Sequence, residues 1–165
     1  KAIMKKIKLG EVGVDSGQLM ITDPCYLDSF VNDDYQDCRR YQNKKTNKVL
    51  EYAKDFSNYE EIIPEYNKTM NQLNESGEWE ALPNPKADDR SYSYNGSCMA
   101  THSEKQGGEL GYGQGVSFSS GYGDGCYEVY AHIGDTDGFG ERVHKVEIVL
   151  IDDEKTNIMN TLRRY

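Results

Sequence analysis

Aliphatic side chains are scarce in this 165-residue chain: Leu, Ile, Val and Phe together number 31. Positive charge is scarce as well, with 19 Lys and Arg against 28 Asp and Glu and a formal net charge of -9. That balance, with a pI near 4.8, argues against a nucleic-acid backbone as partner, because phosphate binding needs a surplus of cations. No apolar run approaches the roughly 20 residues of a membrane span, so no membrane partner is expected. The start, KAIMKKIKLG, is basic but lacks an apolar stretch long enough for a signal peptide, which points to a cytoplasmic protein. Met4 reads as an initiator, with Lys1-Ala2-Ile3 as an upstream extension.

Metal-binding and catalytic signatures are missing too. Cys25, Cys38, Cys98 and Cys126 include no CxxC pair, and His102, His132 and His144 form neither HxxxH nor HExxH, so a zinc site has no sequence support. Asp135-Thr136-Asp137-Gly138 begins like a calcium loop but lacks the later acids at the required spacing. No metal and no cofactor is expected, and the cysteines read as reduced thiols. No G-x-S-x-G elbow surrounds Ser119-Ser120, which leaves an esterase-type nucleophile without its usual frame.

The chain does hold 13 Tyr and 16 Gly, distributed unevenly. Residues 35–90 contain only Gly77 and just 7 of the 31 Leu, Ile, Val and Phe. The expected architecture is a single α+β domain over 1–165. An antiparallel meander of about six strands would come from the flanks, with a polar helical insertion, 35–90, packed on one side. In the first flank, alternation around Ile7, Leu9, Val12 and Val14, the turn Asp15-Ser16-Gly17 and the return through Leu19 and Ile21 predict a hairpin with a bulge at Gly10. Asp23-Pro24 then predicts a capped helical turn. In the middle, Val49, Leu50, Ala53 and Phe56 share helical spacing; Asp34 is placed to cap a helix carrying Tyr35, Cys38 and Tyr41. Ser57-x-x-Glu60 has the form of a capping box, and Tyr66, Met70 and Leu73 share a face before Gly77. In the last flank, 91–103, Gly115–Ser119, Cys126–Ile133 and Val143–Ile151 read as strands, the last covered on both sides. Residues 156–165 read as a short helix.

Residues 12–26 and 116–127 echo each other: alternating apolar positions, then Ser-Gly, then Asp-x-Cys-Tyr. Two readings are open, a shared turn chemistry or two loops that meet and line one site. The strings VDSGQLMITDP (14–24) and FSSGYGDGCY (118–127) resemble the two blocks of the family catalogued as domain of unknown function 4241. The resemblance covers about 35 residues at the two ends, and the middle departs from it. It implies a β-rich core with paired loops. It also implies kinship with small proteins of Gram-positive bacteria and their phages, and no activity.

Glycine is densest in 107–140, with GYGQG (111–115) and GYGDG (121–125). Such loops bring backbone N–H groups close to a ligand, and a central Tyr offers a stacking ring. Tyr112, Gly113, Ser120, Gly121, Tyr122, Asp124 and Tyr127 are therefore the candidate ligand-binding residues. An anionic ligand would require Arg90, Lys105 or Arg142 nearby. The leading expectation is a non-catalytic binding protein that captures a small ligand or a host protein. Its nucleotide version, a phage anti-defence protein sequestering a signal, rests on the resemblance. One alternative is a small hydrolase using Cys126 or Asp124 with His132. The other is a structural or oligomer-forming protein without a ligand.

Overall fold

The computed structural model describes residues 4–153, so the expected helix at 156–165 lies outside the described residues. The fold is mostly β, with antiparallel sheets and short helices, an α+β class. The chain divides into two compact units, one built from residues 1–19 and 120–165, the other from 20–119.

The discontinuous unit is organised by three strands: β1 (Lys5–Val14), β10 (Gly125–Thr136) and β11 (Gly140–Ile148), with β10 in the centre. Alternation makes its two faces unlike. Cross-strand partners Lys6, His132 and Lys145 sit beside Lys8, Tyr130 and Glu147 on one face; Ile7, Ala131 and Val146 share the other. The charged face carries ion pairs Lys6–Glu147 at 2.5 Å and Lys8–Glu128 at 2.9 Å. The expected bulge is present, as a register shift between Lys8 and Gly10. The expected hairpin is not. β1 pairs with β10, whereas β2 (Gln18–Thr22) joins a different sheet. Alternation marks a strand but does not name its partner. Nor is the run at 148–151 a doubly covered strand. β11 ends at Ile148, and Ile151 is exposed.

The continuous unit holds β3 (Arg40–Asn43), β4 (Val49–Glu51), β5 (Ile62–Ile63), β6 (Lys68–Thr69), β7 (Trp79–Leu82), β8 (Gly107–Leu110) and β9 (Gly115–Ser119). The remaining sheets have the orders β2-β9-β8, β4-β3-β7 and β5-β6. Asp23 caps a short 3-10 helix over Pro24–Ser29 as expected, its Oδ1 accepting from Cys25 N at 2.9 Å.

Residues 35–90 depart most from expectation. Tyr41 lies on β3 and pairs with Leu50 on β4, so neither the 34–41 nor the 49–56 helix forms. The chain brings Leu50 and Phe56 into one core by a tight turn, in which Ala53 takes a φ of 63° and donates to Phe56 O at 2.8 Å. Ser57 donates from Oγ to Glu61 at 2.6 Å and caps no helix. The capping box belongs to Thr69 and Gln72 at the start of α1 (Met70–Glu75), which buries Met70 and Leu73 as their spacing implied. The core here is Tyr41, Leu50, Phe56, Ile63, Met70, Leu73 and Trp79, with Tyr52, Tyr59 and Tyr66 against it. The insertion therefore has a core of its own.

Residues 94–101 form α2 (Tyr94–Thr101), where the sequence reading places a strand over 91–103. Ser93 caps it, accepting from Gly96 N at 3.0 Å. Asn95–Ala100 are all buried, so the helix has no polar face and shows no helical period. Gly96 is required, since a Cβ there would fall 2.1 Å from Ser91 O.

Candidate functional site

A cleft of about 800 Å³ opens in the 20–119 unit. Its walls include Arg40 at the start of β3, the segment Pro83-Asn84-Pro85, and Asp88, Arg90, Ser103 and Gly108. A neighbouring hollow of about 470 Å³ shares Arg90 and Glu109 with it and reaches Tyr112.

The walls are pinned by backbone hydrogen bonds. Buried Asn84 donates from its backbone N to His102 O at 2.9 Å and from Nδ2 to Cys38 O, and its Oδ1 accepts from Lys86 N at 2.9 Å. Arg40 donates from Nε to Pro83 O at 2.9 Å. Arg90 donates from Nη1 to Ala87 O at 2.9 Å and to Asp89 O at 2.7 Å. Both guanidinium groups are thereby anchored at one end. Gly108 leaves room for the second: a Cβ there would lie 3.1 Å from Arg90 Nε.

Asn84 ties the cleft wall to a half-buried polar network. Asp37 accepts from Arg39 Nη2 at 2.5 Å, from Tyr35 Oη at 3.1 Å and from Tyr59 Oη at 3.0 Å. Tyr35 Oη is also 2.7 Å from His102 Nε2, and the set is satisfied if His102 donates to Tyr35 and Tyr35 donates to Asp37. Burial disfavours the Asp37 charge, but hydrogen bonds from the Arg39 side chain and backbone outweigh it and hold the carboxyl below its ordinary value. Burial, then the Arg39 charge, holds the His102 imidazole below its ordinary value. Burial pushes the Tyr35 and Tyr59 hydroxyls up, so both stay protonated donors.

Tyr112 and Gly113 sit at the β8–β9 turn. Gly111, Tyr112 and Gly113 all have positive φ, 57°, 54° and 89°, and Gly111 N donates to Arg90 O at 2.8 Å. The Tyr112 ring is fully exposed. A tyrosine held in the left-handed region costs on the order of 1 kcal/mol and here buries nothing in return.

Ser120, Gly121, Tyr122, Asp124 and Tyr127 belong to the other unit. There the two echo loops do meet: Asp124 Oδ1 accepts from Gly17 N at 2.8 Å, and Ser120 N donates to Gly17 O at 3.1 Å. Ser120 Oγ and Tyr127 Oη both donate to Gly123 O, at 2.8 and 2.5 Å. The polar groups of Ser120, Asp124 and Tyr127 thus hold the loop in shape, while Tyr122 is 80% exposed. The proposed dyad is not assembled. Cys126 and His132 lie six residues apart along continuously paired β10, which at about 3.3 Å per residue separates them by roughly 20 Å. Asp124 is farther still along the chain, and His132 faces Glu147 at 3.3 Å.

Arg40 and Asn84 are not legible in the sequence as cleft residues, because contacts across 43 and 46 residues place them there. Arg90 and Lys105, named as the cations an anionic ligand would need, both line the cleft. Among the described residues no group of His, Cys, Asp and Glu is arranged to hold a metal, and no helix is long and apolar enough to cross a membrane. No disulfide joins Cys25, Cys38, Cys98 or Cys126. No family model, curated protein or solved structure matches the chain.

Proposed function

We propose that this chain is a non-catalytic binding protein that captures a small ligand in the cleft of residues 20–119. The observation that carries the reading is the pair of adjoining hollows, about 800 and 470 Å³, sharing Arg90 and Glu109 and ending on Tyr112. Pockets of several hundred Å³ with a few fixed polar groups suit small organic ligands. Pinned walls lower the ordering cost of binding. An exposed tyrosine kept in a strained conformation is better explained by a ligand that stacks on it than by stability. A nucleotide-type signal, such as a phage anti-defence protein would sequester, is the version that joins ring and cleft. Titration of labelled protein with a library of planar metabolites, followed by amide NMR, tests the reading. Shifts should concentrate at residues 83–91 and 103–113. Shifts confined to residues 120–127 would move the site to the other glycine loop.

The second reading is capture of a protein partner by the same tyrosine-tipped turn, since exposed tyrosines suit interfaces. In that case Tyr112→Ala abolishes recovery of a specific partner in pull-downs and leaves the cleft's small-molecule titrations blank.

A further inference from the structure

The charge pattern inside the cleft narrows the ligand further, on the assumption that the cleft is the binding site. Three cations line it, Arg40, Arg90 and Lys105, and three acids, Asp88, Glu104 and Glu109. Elsewhere, among the described residues, eight of twelve Lys and Arg are paired with carboxylates: Lys5, Lys6, Lys8, Arg39, Lys45, Lys48, Lys86 and Lys145. Among the described residues, no carboxylate lies within ion-pair distance of Arg40, Arg90 or Lys105. The two arginines are half-buried, where a charge without an ion-pair partner is costly, and the groups they donate to, Pro83 O, Ala87 O and Asp89 O, are neutral backbone carbonyls. A guanidinium has five N–H donors. Arg90 uses its two Nη1 hydrogens on carbonyls, and Arg40 uses Nε–H. The remaining donors, Nε–H and Nη2 of Arg90 and both Nη groups of Arg40, belong to side chains that line the cleft. Fixed, forked donors of this kind match the oxygen spacing of a carboxylate or phosphoryl group.

We infer that the ligand carries a compact oxyanion, phosphoryl or carboxyl, held between Arg40 and Arg90, with a flat ring reaching Tyr112. The three acids limit its charge. They bring the lining residues to formal neutrality, so a chain of phosphates would meet repulsion that a single oxyanion group avoids. The class is therefore a singly substituted acid, such as a nucleoside monophosphate, a phosphodiester or a ring-bearing carboxylate, and not a nucleoside triphosphate.

Calorimetric titration of the full chain with four probes sharing one ring tests this: adenosine, adenosine 5′-carboxylate, adenosine 5′-monophosphate and adenosine 5′-triphosphate. The expected order places both single-oxyanion probes about tenfold or more above adenosine, with the triphosphate no tighter than the monophosphate. The carboxylate and monophosphate arms tell the two oxyanion sources apart. Arg90→Gln and Arg40→Gln should each lose about tenfold for the charged probes and leave adenosine unchanged. Because Arg90 also anchors two carbonyls, Gly108→Ala is the second variant: it keeps every charge but crowds Arg90 Nε, and should weaken the same probes while the thermal melt is retained. Adenosine binding as tightly as the charged probes, or Arg-to-Gln variants binding them like the parent, overturns the oxyanion inference and leaves the cleft reading standing. Silence of all four probes, with no amide shift around residues 83–113, overturns both.

Discussion

Two regions of this molecule invert the usual relation between composition and burial. Residues 35–90 hold only 7 of the 31 Leu, Ile, Val and Phe, yet the larger core lies wholly within them. The β1–β10–β11 sheet draws on the richer flanks, yet Ile7, Leu9, Val143 and Val146 are 44–60% exposed. The difference is aromatic content and layering. Six of the ten residues in or against the larger core are aromatic, and each ring buries more area than an aliphatic side chain. The rings also meet edge to face, as Tyr66 and Trp79 do at 5.3 Å, and Tyr59 finds a half-buried partner for its hydroxyl in Asp37. Aliphatic counting misses both effects.

The sharpest way to break this comparison is to open the aromatic core. Met70 is fully buried at the first position of α1, and Met70→Ala should cost about 2–5 kcal/mol through lost transfer energy and a cavity. Trp79 is the chain's single tryptophan, so its fluorescence reports unfolding of this region alone while far-UV circular dichroism reports the whole chain. A shift below about 1 kcal/mol in the fluorescence midpoint would mean that the segment is not the self-sufficient core described here.

Asn84→Ala comes next. It removes the partner of Cys38 O and of Lys86 N, and leaving these part-buried groups without it should cost about 1 kcal/mol. The same variant should loosen the cleft wall, visible as faster amide exchange at 83–87. Unchanged exchange there would show that the prolines alone hold the wall.

Protonation supplies a third test. The folded state holds His102 below its ordinary value of 6.5 and Asp37 below 3.8. Folding therefore prefers neutral His102 and charged Asp37. The His102 contribution is complete above pH 6.5 and is lost as pH falls through its folded value. The Asp37 contribution is complete above pH 3.8 and is lost only in stronger acid. Melts followed by Trp79 should weaken below pH 6.5 in the parent and less steeply in His102→Gln; equal slopes in the two proteins would remove His102 from the account.

What the sequence disclosed about this comparison was uneven for physical reasons. Strands in which apolar and polar side chains alternate, such as β1 and β10, show their two-residue period and are legible. So are local devices such as Asp23-Pro24 and the Met70–Leu73 face. The 49–56 segment looks helical in sequence because helical spacing and a strand followed by a tight turn can bring the same residues, Leu50 and Phe56, to one core. Helix α2 is not legible as a helix because one buried over Asn95–Ala100 has no amphipathic period. Pairing was illegible too: nothing in Ile7 to Ile21 reveals that β1 and β2 enter different sheets. Of the candidate site residues, Tyr112 is legible because glycines flank it, while Arg40 and Asn84 depend on contacts across 43 and 46 residues.

The strained turn gives a fourth test, with a gain expected. Tyr112→Gly relieves a positive φ of 54° at a fully exposed position, and should stabilise the 20–119 unit by on the order of 1 kcal/mol, less the added freedom of glycine in the unfolded chain. Under the proposed function the same change weakens ligand capture. Stabilisation with undiminished binding would leave the tyrosine without a role in the cleft.

The smallest effect is expected where composition looked most favourable. Val146 lies at the middle of β11, pairs with Ala131 and is 54% exposed. Val146→Thr keeps the β-branch and the strand preference while making the side chain polar. A half-exposed position that lines neither hollow should respond by no more than about 0.5 kcal/mol. The measurement is the far-UV transition, because Trp79 does not sit in this unit. If Val146→Thr instead cost as much as Met70→Ala, the apolar face of the β1–β10–β11 sheet would be covered in solution. The contrast between the two regions would then be one of partners, not of composition.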